Sequence, residues 1–214
     1  MGWAMSDKKY FRGADWFGKD LHKAELEQAD LREANLQEAD LSHANLRFAD
    51  LRGADLSGCN LYRADLTGAR LQRASLREAD LFHGILDRAD LTEACLIKAN
   101  LNGATARKAC FDQADFYEAS LYNVDLSQAS VQGADLFHAD LFHAKLHKTD
   151  FTGSDFTDSY LSNAVLDQTI FDKADLSGAT MPDGTLCAHG SIGQCIPKDP
   201  NQPGFPPISM PPLG

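Results

Sequence analysis

The densest run of potential ligands lies at residues 137–147, where Phe137, His138, Asp140, Phe142, His143 and His147 alternate with Ala and Leu. Imidazole and carboxylate are zinc donors, but zinc needs its nitrogens about 2.0–2.1 Å from one point. A second set is Cys187, His189 and Cys195, spread over a short glycine-containing loop. Three soft ligands fall short of a closed zinc site. The same loop suits a disulfide, worth about 2.6 kcal/mol by loop-closure arithmetic, or two free thiols. Those three readings stand side by side. Cys59, Cys95 and Cys110 are spaced apart and read as reduced thiols. The chain has no Gly-rich phosphate loop, HExxH helix, EF-hand loop or nucleophile elbow. No catalytic residue, metal or cofactor is expected, and the role reads as non-enzymatic.

What positions these residues is a repeat. Large apolar residues fall at Leu21, Leu26, Leu31 and every fifth position to Leu176, with Ala106 the one small exception. Two residues before each, from Leu26 on, stands a small one, mostly Ala, with Cys59, Gly84, Val124, Thr149, Ser154, Ser159 and Thr169 as variants. A period of five turns by about 72° per residue, which neither a helix near 100° nor a strand at 180° buries on one face. It suits a coil of four short sides, each turning one large and one small residue inward. The polar pair after each Leu then makes the corner.

Successive copies such as ADLRE, ANLQE, ADLSH and ANLRF resemble the pentapeptide-repeat family, over about residues 14–181. The resemblance implies an all-β fold, a right-handed quadrilateral β-helix with four repeats per coil. The 32 slots then make about eight coils, roughly 38 Å tall at the usual strand spacing. No insertion breaks the register. His138, His143 and His147 therefore face outward on different parts of the circumference and do not converge, and a loop-free prism offers no cleft in which paired carboxylates separate their pKa values.

Function must then lie in outward positions, which stack every twenty residues. One column carries Tyr62, Phe82, Asn102, Tyr122 and Phe142, with His83 and His143 beside it; Ile97, Tyr117 and Phe137 form a second on the preceding side. The two bracket a side that is weakly charged at Asn100 and Ser120. Contiguous aromatic surface marks an interface for a protein partner or a second copy, or else supports the ladder as cross-strand pairs do. A second candidate is the acidic column Asp115, Asp135, Asp155 and Asp175. Some family members mimic DNA with such rows and protect DNA gyrase from quinolones, so the resemblance permits a DNA mimic acting on a topoisomerase. Similar cyanobacterial proteins influence cell differentiation through protein contacts.

Composition narrows the class further. The net charge is −11, and 17 of the 31 acidic residues occupy the slot before the large apolar residue, where Arg70 and Lys145 are the basic exceptions. Such a chain lacks the basic footprint of nucleic-acid binding. No apolar run reaches the roughly 20 residues of a membrane span. The first ten residues lack a signal-peptide pattern, which points to the cytoplasm; Met5 is an alternative start. Lys9 and Lys19 fall in inward slots, so residues 1–20 read as an irregular cap in which Trp3, Phe11 and Trp16 cover the first coil. Residues 21–181 form the shaft, and 182–214 a capping loop and Pro-rich tail, because every proline lies at or after Pro182. A monomer or homodimer is expected. The inward Phe111, Phe116, Phe151, Phe156 and Phe171 read as core.

Overall fold

A computed structural model describes residues 9–199. Each residue of the series Tyr10, Asp15, Asp20 and onward to Tyr160 makes a parallel bridge with the residue twenty further along. Twenty residues therefore close one coil, and the chain is a right-handed quadrilateral β-helix. We name its sides by their first large residue: the Leu21, Leu26, Leu31 and Leu36 sides, each bounded by a turn.

The backbone explains why the period is five. Around Leu41, Asp40 N donates to Lys19 O in the coil below (2.9 Å), and Leu41 N and His43 N donate to Asn60 O and Tyr62 O in the coil above (both 2.8 Å). Ala44 N closes the corner on Leu41 O (3.0 Å). Ser42 N, the one remaining amide of the unit, donates to the side chain of Asp40 (2.9 Å). Every donor is satisfied, as a narrow shaft requires. The motif carboxylate is thus an Asx acceptor for its own turn, not merely a solvated charge. The second corner residue is left-handed, as at His43 (φ 57°) and Gly53 (φ 65°).

Leu31 to Leu101 and their small partners are fully buried. Each such Leu contributes about 1.5–3 kcal/mol of apolar transfer. At three of the four polar small slots the side chain bonds a carbonyl of the wall, as Thr149 Oγ1 does to Leu126 O (2.8 Å) and Thr169 Oγ1 to Leu146 O (2.7 Å), whereas Ser159 Oγ is buried without a partner. Phe111 packs on Phe116 (centroids 5.2 Å apart), and Phe151, Phe156 and Phe171 form a second cluster.

The bridges of the described residues begin at Tyr10, so residues 10–20 follow the repeat as about half of a coil rather than as an irregular cap. Among the described residues no coil lies beneath its lower edge, and the inward-slot lysines there escape burial: Lys19 is exposed and Lys9 Nζ bonds Glu25 O. Phe11 and Trp16 pack together there (4.7 Å), while Trp3 and Met5 lie outside the described residues. At the other end, residues 182–199 fold back. Ile192 and Leu186 make antiparallel bridges to Asp175 and Thr180, and a disulfide joins Cys187 to Cys195 (Cα–Cα 5.1 Å). The tail beyond Asp199 lies outside the described residues.

Candidate functional site

The two aromatic columns stand on the corners that bound the Leu21 side. On one, Tyr117 stacks on Phe137 (centroids 5.6 Å, planes 4° apart) above the half-buried Ile97. On the other, Tyr62 stacks on Phe82 (6.1 Å, 6°) and Tyr122 on Phe142 (5.9 Å, 7°). Imidazoles close these stacks edge-on: Phe82 with His83 (4.2 Å), Phe142 with His143 (4.3 Å) and Phe137 with His138 (4.2 Å). The second column is therefore two groups, separated at Asn102 and Gly103. Asn102 Oδ1 instead accepts from Ser120 Oγ (2.7 Å) and Tyr122 N (2.8 Å). Of the six stacked rings five are half-buried, Tyr122 is exposed at 45%, and the three imidazoles are exposed. Ring-on-ring packing of this kind supports the ladder and leaves a row of edges toward solvent.

Two residues of the same surface escape a search for large aromatics. His43 packs on Tyr62 (5.3 Å) and His22 on His43 (5.5 Å), extending the lower group by two coils. Their signal was positional, since both occupy the same corner columns. A further feature is apolar residues in the outward Asp slot near the upper end: Tyr160, Val165 and Ile170 are all exposed. Three consecutive departures from the motif were visible in sequence, but their exposure follows only from the coil.

The acidic column Asp115, Asp135, Asp155 and Asp175 is continuous on the Leu36 side. Each Oδ1 accepts a turn amide, from Tyr117 (3.0 Å), Phe137 (2.9 Å), Thr157 (2.8 Å) and Ser177 (2.9 Å). These carboxylates hold the corner that carries Tyr117 and Phe137.

Among the described residues, no three His, Cys, Asp or Glu side chains converge on a point suited to a metal. His147 pairs with Asp167 (2.6 Å), away from His138 and His143. Cys59 is buried and donates to Ala39 O (3.0 Å), and burial pushes its thiol up to about 12. Cys95 and Cys110 are half-buried free thiols on different sides.

The profile of the family described as pentapeptide repeats matches residues 20–58, 44–81, 85–121, 119–158 and 152–183, in 8 copies. This chain is a pentapeptide-repeat protein. Among solved structures, the pentapeptide-repeat protein is similar to HetL, described as involved in heterocyst differentiation regulation, from the cyanobacterium Nostoc sp. strain PCC 7120. The identity is 30%, the TM-score 0.51, and the match covers 83% of this chain and 91% of HetL. It is also similar to QnrB1, a plasmid-mediated fluoroquinolone resistance protein, at 18% identity and TM-score 0.49 over 82% of this chain and 91% of that one. No curated protein matches the pentapeptide-repeat chain. No helix among its described residues is long and apolar enough to cross a membrane.

Proposed function

We infer that this pentapeptide-repeat protein is a non-enzymatic scaffold that binds a protein partner through its Leu21 side. The observation that carries this reading is the pair of stacked rails, Tyr117–Phe137 and Tyr122–Phe142, flanking the same two coils. Aromatic edges held rigid on a β-ladder offer contact area at low entropic cost, which is what interface hot spots use. Tyr62, Phe82, His83, Ile97 and His143 extend the surface along the shaft. A regulatory role agrees with the likeness to HetL.

The test is partner capture with wild type and with Phe82, Tyr122 and Phe142 all changed to Ser. Loss of capture with an unchanged circular dichroism spectrum supports the reading; undiminished capture defeats it. The acidic column is tested separately by gyrase supercoiling. Inhibition that disappears when Asp135 and Asp155 become Asn would favour a DNA mimic over the aromatic interface.

A further inference from the structure

The arginines are unevenly placed. Eight of the ten lie on the Leu31 side or its two corners, opposite the aromatic side; Arg63 and Arg77 are the exceptions. Four of them, Arg32, Arg52, Arg70 and Arg73, line one groove of about 510 Å³ together with Gln72 and Gly53. That volume lies within the range of small-molecule sites.

Three of these guanidiniums are held in the same way. Arg32 donates through Nε and Nη2 to Asp30 (2.8 and 2.6 Å), and Arg52 likewise to Asp50 (2.7 and 2.6 Å). Arg73 does so to Glu93 (2.7 and 3.3 Å). Each therefore keeps Nη1, with two N–H bonds, uncommitted among the described residues. Glu33 on the groove wall is likewise paired, with Arg12 (2.8 Å). The carboxylates Asp30, Asp50, Glu93 and Glu33 each have an arginine, while Asp90 is held by Gln72 and Thr92.

Arg70 is the cation left over. It sits in the outward slot that the motif gives to Asp, and its nearest carboxylate oxygen is that of Asp50 at 3.6 Å, already claimed by Arg52. By taking that slot it forgoes the Asx bond an Asp would make to Gln72 N. Gln72 is unusual in turn. Its Nε2 donates to Asp90, which fixes the amide, while its Oε1 is buried with no hydrogen-bond partner. A residue that breaks the local rule beside an orphaned buried acceptor is where a site is expected. Gly53 leaves the corner column without a side chain between Glu33 and Arg73, and this notch keeps the groove open.

We propose that this groove binds a small phosphorylated molecule. Its free donors belong to guanidiniums in successive coils, so they approach from different levels. A tetrahedral phosphate, with oxygens pointing apart, meets such a set; a planar carboxylate matches one fork. The carboxylates behind the arginines preorganise them, so little side-chain entropy is lost on binding. This site lies on the side of the shaft opposite the aromatic surface and does not depend on it.

The test is calorimetric titration with pyrophosphate, with inorganic phosphate and citrate as comparison ligands. Saturable pyrophosphate binding with Kd below about 1 mM is expected. Arg70→Asp restores the repeat's own residue, so it should fold at least as stably while weakening pyrophosphate by about tenfold or more. Arg63→Asp makes the same charge change on an exposed corner across the shaft and should leave Kd within about twofold. The proposal is overturned by absence of saturable pyrophosphate binding, by equal weakening in both variants, or by citrate binding as tightly as pyrophosphate.

Discussion

Asp112 accepts the amide of Gln132, one coil above it, at 3.0 Å. The repeat normally satisfies that amide from within its own unit, but the slot before Val131 holds Ser130, which donates its hydroxyl to the same Asp112 oxygen (2.6 Å). Asp112 thus replaces the acceptor that Ser130 cannot supply. The substitution recurs: Asn102 serves Tyr122 N above Ser120, and Asp87 serves Arg107 N (2.9 Å) above Thr105. Asp112→Ala should destabilise the shaft by about 1–3 kcal/mol, because it strands an amide and a hydroxyl. Adding Ser130→Asp restores the repeat's own acceptor and should recover most of the loss. Denaturant melts of the two variants check this; failure of the second change to rescue would break the acceptor argument.

The same accounting sets the response to acid. The hydrogen bond from Arg32 holds Asp30 down to about 2. Burial raises Asp125, but hydrogen bonds from Ser127 and Arg107 outweigh it and leave it below the ordinary range. Burial likewise opposes the Ser57 and Gln37 bonds that lower Asp55, and the Thr152 bond that lowers Asp150. Depressed folded-state values mean stability that is fully present above the unfolded carboxylate value near 3.9 and lost as pH falls through the folded values. Melting temperature should be nearly flat from about pH 7 to 5 and fall steeply between about 4 and 2. Asp125→Asn should lower the neutral-pH plateau and flatten the fall. A melting temperature that rises on acidification would contradict the assignment.

The fold was legible because one rule, period five, repeats without interruption, and the slot before each Leu showed where the acidity sits. The reason for that acidity was not legible, because Ser42 N meeting Asp40 is a fact of turn geometry. The partnership of Asp112 with Gln132 was harder still, since it links neighbouring coils and requires knowing that twenty residues close a turn. The aromatic columns could be read from spacing alone. The gap at Asn102 and the extension to His43 and His22 could not, because they depend on which rings tilt toward which. The start of the shaft was not legible because lysine is costly in an inward slot only when another coil covers it, and among the described residues none lies below Lys19, which is exposed.

The disulfide makes a prediction about the upper end only. The Cys187–Cys195 loop lays Ser191 O over Leu176 N (2.8 Å), and Cys187 O over Gly178 N (3.1 Å), extending the ladder past the last full coil. Cys187→Ser with Cys195→Ser should lower stability by up to about 2.6 kcal/mol. The change should appear as faster amide exchange at Leu176 and Gly178, with Leu41 unaffected, since a solenoid frays from its ends. Intact mass with and without reductant reports the bond itself, and a protein kept in a reducing cytoplasm should show Cys187 and Cys195 as two alkylatable thiols in addition to the free Cys95 and Cys110. Uniform loss of protection along the shaft would argue against a local cap.

Gly103 tests whether the gap in the aromatic column is built for His83. The His83 ring lies over it, so that a Cβ on Gly103 would meet ring atoms at 2.6 Å, and His83 Nδ1 is 3.3 Å from Gly103 O. The backbone there is left-handed (φ 67°), yet the shaft carries Asn123 at φ 53° in the same column one coil above. Conformation alone therefore costs Gly103→Ala about 1–2 kcal/mol, which the fold tolerates elsewhere. Gly153→Ala has the same conformational cost (φ 71°) with nothing within 4 Å of the added Cβ. The two variants should lose similar stability, but only Gly103→Ala should displace the His83 ring, seen as a shifted imidazole resonance. It should also weaken partner capture, because His83 is packed edge-on against Phe82 and moves with it. An unmoved His83 resonance in Gly103→Ala would mean that the ring is not seated by the missing side chain.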